Sequence, residues 1–97
     1  MALEDDTHEE LAYGTVISIG EYGWTKGFGF IRPDDGGSED VIFYFSKGRN
    51  QGQPLPDGTP TFSEKRIMRF PEENDRVAFR EKTVRMGRRK AARWTYV

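Results

Sequence analysis

Residues 26–32 read Lys-Gly-Phe-Gly-Phe-Ile-Arg, and the phase of this run decides the fold. Successive side chains of a strand point to opposite faces. Lys26, Phe28, Phe30 and Arg32 therefore share one face, and Gly27, Gly29 and Ile31 share the other. Pro33 ends the run. A soluble strand normally buries its large apolar face. Here one face carries two phenylalanines between two cations, and the other is nearly bare. Two readings stay open. If the glycine face lines a tightly curved barrel, Phe28 and Phe30 stand in water. If the phenylalanines are core, the glycines lie outside. Exposed coplanar aromatics ringed by cations form a platform on which single-stranded bases stack, at about 1–3 kcal/mol per base.

The flanking segments read as further strands. Residues 13–19 (YGTVISI) are β-branched and end at Gly20. Residues 34–40 (DDGGSED) are turn chemistry throughout. Residues 41–46 (VIFYFS) form a third strand with phases Val41, Phe43, Phe45 against Ile42, Tyr44, Ser46. Residues 47–57 are rich in Gly, Pro, Asn and Gln and read as a loop. Residues 61–70 fit a short hairpin or a turn of helix equally well. Residues 76–84 place Val77 and Phe79 inward, and residues 86–90 (MGRRK) are a basic turn. Residues 91–97 form the last strand, with Ala92, Trp94 and Tyr96 on one face and Trp94 packing to close the barrel. Five strands without an internal repeat suit a small all-β barrel.

Composition supports that class. The chain has 97 residues and 11.2 kDa, enough for one domain. Val, Ile and Thr number 17 and aromatics 13, against 3 Leu and 5 Ala, a balance that suits a pleated surface. There is no cysteine, so neither a disulfide framework nor a thiolate zinc site can form. Mean hydropathy is −0.78 and no apolar run nears the roughly 18 residues of a membrane span. The N-terminal residues carry no apolar segment of a leader peptide, and a cytoplasmic location is expected. Net charge is only −1, but it is divided. Residues 1–75 hold 15 acids and 7 Lys or Arg, whereas residues 76–97 hold 8 Lys or Arg and Glu81 alone. Basic charge gathered in a folded segment is the footprint of a polyanion partner, and a solvated strand and turn is the plain alternative.

Together, Gly14-Thr15-Val16, the run 26–31 and the run 40–46 (DVIFYFS) resemble the cold-shock domain. KGFGFI is similar to that family's first ribonucleoprotein motif and VIFYF to its second. The likeness is strong over residues 13–46, loose over 75–97, and absent from 1–12 and most of 47–72. It implies a five-stranded antiparallel oligonucleotide-binding (OB) barrel over residues 13–97, after an acidic flexible tail over 1–12. It also implies binding of single-stranded RNA or DNA on strands two and three. Phe28 and Phe30 would stack bases, Tyr44 stands where the family usually has His, Phe45 would edge the platform, and Lys26 matches the motif's basic residue. Ile42 replaces a usual Phe, and Ser18 a usual exposed Trp. The longer connection 20–26 carries Tyr22 and Trp24, and Trp24 is expected to fold back beside Phe28 or to pack at the barrel mouth. The connection 47–75 exceeds the family's length and reads as an inserted loop or hairpin.

The expected phosphate contacts are Lys26, Arg32, Lys47, Arg49 and Arg88. Binding without ATP would trap unpaired strands, as a nucleic-acid chaperone does, over about 4–16 nucleotides. Two alternatives are a protein-interaction module docking through residues 47–75 and an oligosaccharide-binding barrel. The expected chain is a monomer or weak dimer. No enzyme, cofactor, metal or membrane partner is expected. His8 is the only histidine, and HEELA lacks the second His of a zincin motif. The acids at 34–40 fit no calcium loop.

Overall fold

Alternate glycines let the second strand bend where a strand with larger inward side chains would resist. The computed structural model describes residues 9–37, 39–82 and 88–97. Among these, seven strands form: β1 (Glu9–Glu21), β2 (Phe28–Pro33), β3 (Val41–Tyr44), β4 (Arg49–Gln51), β5 (Phe62–Arg66), β6 (Arg76–Lys82) and β7 (Lys90–Tyr96). Five close into a barrel in the order β1-β2-β3-β7-β6, with β6 returning to β1. The remaining two, β4 and β5, pair as a separate antiparallel hairpin.

The barrel is mixed, which corrects the antiparallel expectation. β3 and β7 run parallel, joined at Ile42 and Lys90, while the other neighbours are antiparallel. The reason is arithmetic. Strand direction cannot alternate around a closed ring of five, so at least one neighbouring pair must run the same way.

β1 is long because it serves two partners. Residues 9–15 pair with β6, and residues 14–21 pair with β2. The β1–β2 register shifts between Val16 and Ser18 and again between Ile19 and Glu21. Such bulges add local twist and turn one strand around the barrel wall. The strand starts earlier than the expected tail boundary: residues 9–12, read as tail, register against Lys82, Glu81, Arg80 and Phe79. β6 presents an open edge there, and pairing satisfies its backbone groups. Residues 1–8 lie outside the described residues.

The interior is filled by Val16, Ile31, Val41, Phe43, Val77, Phe79, Ala91 and Trp94, each 0 % exposed. Trp94 also donates its indole N–H to the Tyr44 carbonyl at 2.8 Å, so its one polar atom is satisfied. The expected shared face of Ala92, Trp94 and Tyr96 does not form as such. Ala91 and Trp94 are buried, Ala92 and Tyr96 half-buried. A register shift between Arg80 and Glu81 breaks the period-two pattern along this pair. Residues 83 and 84, the end of the expected strand 76–84, lie outside the described residues.

The segment 47–75 is tied to the barrel by its own core contacts. Ile67 is 3 % exposed and joins the main core. A side chain at Gly48 would lie 2.7 Å from both Ile67 and Trp94, so the glycine lets these two close over the backbone. Gln51 donates to the Tyr96 carbonyl at 2.7 Å, and Tyr96 Oη donates to the Arg69 carbonyl at 2.5 Å. The hairpin thus flanks β7.

Candidate nucleic-acid interface

The glycine face of β2 is the inside. Gly27, Gly29 and Ile31 are buried, Phe28 and Phe30 are half-buried, and Arg32 is exposed. A methyl group at Gly29 would lie 2.9 Å from the Phe43 ring and 2.7 Å from the Ser18 carbonyl. Only a bare Cα fits between β1 and Phe43. That steric demand sends both phenylalanines outward, where Tyr44 and Ile42 of β3 stand half-buried opposite Phe28 and Phe30.

Phe28, Phe30 and Tyr44 form a contiguous aromatic surface, but a corrugated one. The Phe28 and Phe30 centroids are 5.9 Å apart with planes at 88°, and Phe28 and Tyr44 are 6.4 Å apart at 49°. The coplanar platform expected is corrected on this point: edge-to-face packing suits the ring quadrupoles better than a flat row. Phe28 leans over β1, where a Cβ at Gly20 would lie 2.2 Å from its Cε2.

Cations approach from the β6–β7 connection. The Arg88 guanidinium lies 5.6 Å from the Phe30 centroid, and the Lys90 ammonium 5.9 Å from that of Tyr44. Arg88 is an expected site residue. Lys90 and Gly20 were not among those residues. The signal for Lys90 was its spacing of two from Arg88, which puts both on one side of an extended chain. Arg89 points the other way. It donates to Glu81 at 2.6 and 2.7 Å and to Asp35 at 2.8 Å. The Glu81 hydrogen bonds hold its guanidinium still more firmly protonated. The Gly37 N–H, then Arg89, holds the Asp35 carboxyl below its ordinary range.

Other expected residues fall in different places. Lys26 is exposed in the β1–β2 connection and Lys47 is exposed in a 3-10 turn over Phe45–Lys47. Arg32 is exposed and sits 3.8 Å from Asp40, a pairing that solvent screens. Arg49 is half-buried and donates to the carbonyls of Ser46 and Gly48 at 2.9 and 2.8 Å. It faces a cleft with Lys47, Phe62 and Arg93, away from Phe30. Phe45 is corrected from platform edge to core: it is 1 % exposed and stacked on Phe43, 6.0 Å between centroids. Its cover is Tyr22, Trp24 and Phe70. Trp24 is likewise not beside Phe28. Its ring lies 4.3 Å from that of Phe70, tilted by 35°, and 6.4 Å from that of Phe45, which is the other expected placement, at the barrel mouth. Comparison with protein-family models, curated proteins and solved structures finds no match to this chain.

Proposed function

We propose that this protein binds single-stranded RNA or DNA on the outer face of β2 and β3. The observation that carries the reading is the aromatic surface of Phe28, Phe30 and Tyr44 with Arg88 and Lys90 held above two of its rings. The strand order supports an OB-type barrel. In such barrels the face of strands two and three, with the loops after the first and fourth strands, takes oligonucleotides. Leaving out the β4–β5 hairpin, those positions here are the β2–β3 face, the connection carrying Trp24 and Lys26, and the connection carrying Arg88. The likeness of residues 26–31 and 40–46 to the cold-shock domain points the same way.

Magnitudes decide how a base would enter. An exposed cation–π contact is worth about 0.5–1 kcal/mol. A base stacked on an aromatic is worth about 1–3 kcal/mol. The base therefore displaces Arg88 from the Phe30 face, and the freed guanidinium pairs with a phosphate. Arg88 and Lys90 act as stand-ins that keep the rings covered until a strand arrives. Because every base has a π face, the contact is tolerant of sequence. The reading needs no catalytic group, and a protein that holds unpaired strands opposes hairpins by mass action alone.

The test is a titration with a short, fluorescently labelled pyrimidine-rich single strand at two salt concentrations, followed by anisotropy, with duplex as control. Binding should weaken with salt at a log–log slope of about −0.7 per neutralised phosphate. Phe28→Ala with Phe30→Ala should abolish it. Equal affinity for duplex, or salt-independent binding, would overturn the proposal. A neutral oligosaccharide ligand would show the latter.

A further inference from the structure

A second aromatic cleft opens where the β1–β2 connection meets the chain leaving β5. Trp24, Phe45, Ser46, Arg66, Ile67 and Met68 line about 310 Å3. Phe45 and Ile67 are its floor, 1 % and 3 % exposed. Trp24 and Met68 are its walls, 38 % and 86 % exposed. Met68 contributes almost nothing to folding by burial at that exposure, and it stands beside a tryptophan that already has Phe70 against it. An apolar floor with two exposed, polarisable walls is a binding shape rather than a packing one.

We infer that this cleft receives a nucleobase of the same single strand, the one beyond those on Phe28 and Tyr44; the inference rests on the function proposed above. Continuity is the first argument. Phe45 and Ser46 of the cleft follow Tyr44 directly in the chain. The Phe45 N–H donates to the Gly27 carbonyl at 3.0 Å, and Phe28 is the next residue after Gly27. The cleft and the Phe28–Tyr44 end of the aromatic surface are thus stitched together by backbone. Charge is the second argument. Arg66 is at the rim, and Lys26 and Lys47 are exposed in the segments on either side. Among the described residues none of these three is in an ion pair. A polyanion neutralises all three, whereas an apolar protein plug leaves them idle. Size is the third. The volume sits at the small end of the roughly 300–1,000 Å3 of ligand clefts, which suits one flat ring system. Ser46 supplies a hydroxyl that donates to or accepts from a base edge.

The experiment is a length series of pyrimidine single strands, from dinucleotides upward, against wild type, Met68→Glu and Phe28→Ala. Met68 is so exposed that the glutamate substitution should leave the fold intact, which thermal unfolding would check. In wild type, affinity should rise in a distinct step once the strand reaches the cleft. That step should be about 5- to 150-fold, the range for one stacked base. Met68→Glu should remove the step and leave shorter strands unaffected. Indole quenching that begins at the step and is absent in Trp24→Phe places the base. If Met68→Glu changes nothing, or weakens all lengths alike, while Phe28→Ala still weakens short strands, the cleft inference falls and the β2–β3 site stands. If Met68→Glu abolishes self-association and leaves the step in place, the cleft belongs to a second copy of the chain, and the inference also falls. If wild type binds no strand of any length, the proposed function fails with it.

Discussion

Replacing Gly20 by alanine isolates the position of Phe28 from its presence. Gly20 has no positive φ, so alanine takes the backbone without strain. The added methyl would lie 2.2 Å from Phe28 Cε2 and 2.4 Å from Cζ. Carbon atoms rest at about 3.5–4.0 Å, so the ring must retreat by more than an ångström. Phe28 is half-buried at the surface and can swing outward. The cost in stability is therefore near the lower end of the about 1–3 kcal/mol for overpacking. Binding suffers more. A ring turned off its seat loses the base it stacks, about 1–3 kcal/mol, or roughly 5- to 150-fold in Kd. The assay is the fluorescence titration of single strand, run on Gly20→Ala, Phe28→Ala and the double variant, with thermal unfolding alongside. The double variant should bind no worse than Phe28→Ala alone, because both act through one ring. Full affinity in Gly20→Ala beside lost affinity in Phe28→Ala would refute the claim that the seat over β1 sets the site. Additive losses would refute it too.

Two further predictions use the charge network and the one tyrosine with a large shift. Arg89→Gln should lower stability by about 1–3 kcal/mol, since the largely buried Glu81 carboxylate loses its partner, but should leave the salt slope of binding unchanged. Arg88→Gln should reduce that slope by about 0.7 with little effect on unfolding, and the opposite assignment would sink the distinction. Burial pushes Tyr96 up to about 12 from an ordinary 10.0. The neutral phenol is the form the fold favours, so its contribution is complete below pH 10 and lost as pH rises through about 12. Near-UV absorbance of wild type minus Tyr96→Phe should show Tyr96 ionising late and together with unfolding; a difference signal centred near 10 would refute it.

The inward phase of β2 was legible because glycine leaves few choices. A face of Gly27, Gly29 and Ile31 leaves two readings, inside of a tight barrel or outside, and the structure has the first. The inward phase of Phe45 was legible too, since it alternates with Val41 and Phe43. The role transferred from the resemblance overrode that alternation, and the buried ring agrees with the alternation. For Trp24 the sequence leaves two placements, beside Phe28 or at the barrel mouth, and it takes the second. Its partner Phe70 lies far along the chain, and no local pattern encodes that contact. The shift along β7 has the same origin, because a bulge is a property of two strands and not of one.

The divided charge acquires a physical reading once the alternation at residues 88–90 is followed. Arg88 and Lys90 face the rings of Phe30 and Tyr44, whereas Arg89 is turned to Glu81 and Asp35. Asp35 belongs to the β2–β3 connection and Glu81 to β6, so Arg89 ties the β6–β7 connection to both. The sorting follows from extended backbone, in which residues two apart share a side. Arg76 repeats the device lower on the wall, donating to Asp34 at 2.8 and 2.9 Å and drawing the Asp34 carboxyl below its ordinary range. Two of the acids in the β2–β3 turn are therefore structural counter-ions for arginines that do not face the aromatic surface. Beside Phe30 and Tyr44 stand Arg88 and Lys90, with Glu39 and Asp40 on the Phe30 side. With this sorting, a chain whose net charge is only −1 sets Arg88 and Lys90 on the side of the aromatic rings and pairs Arg76 and Arg89 with acids elsewhere.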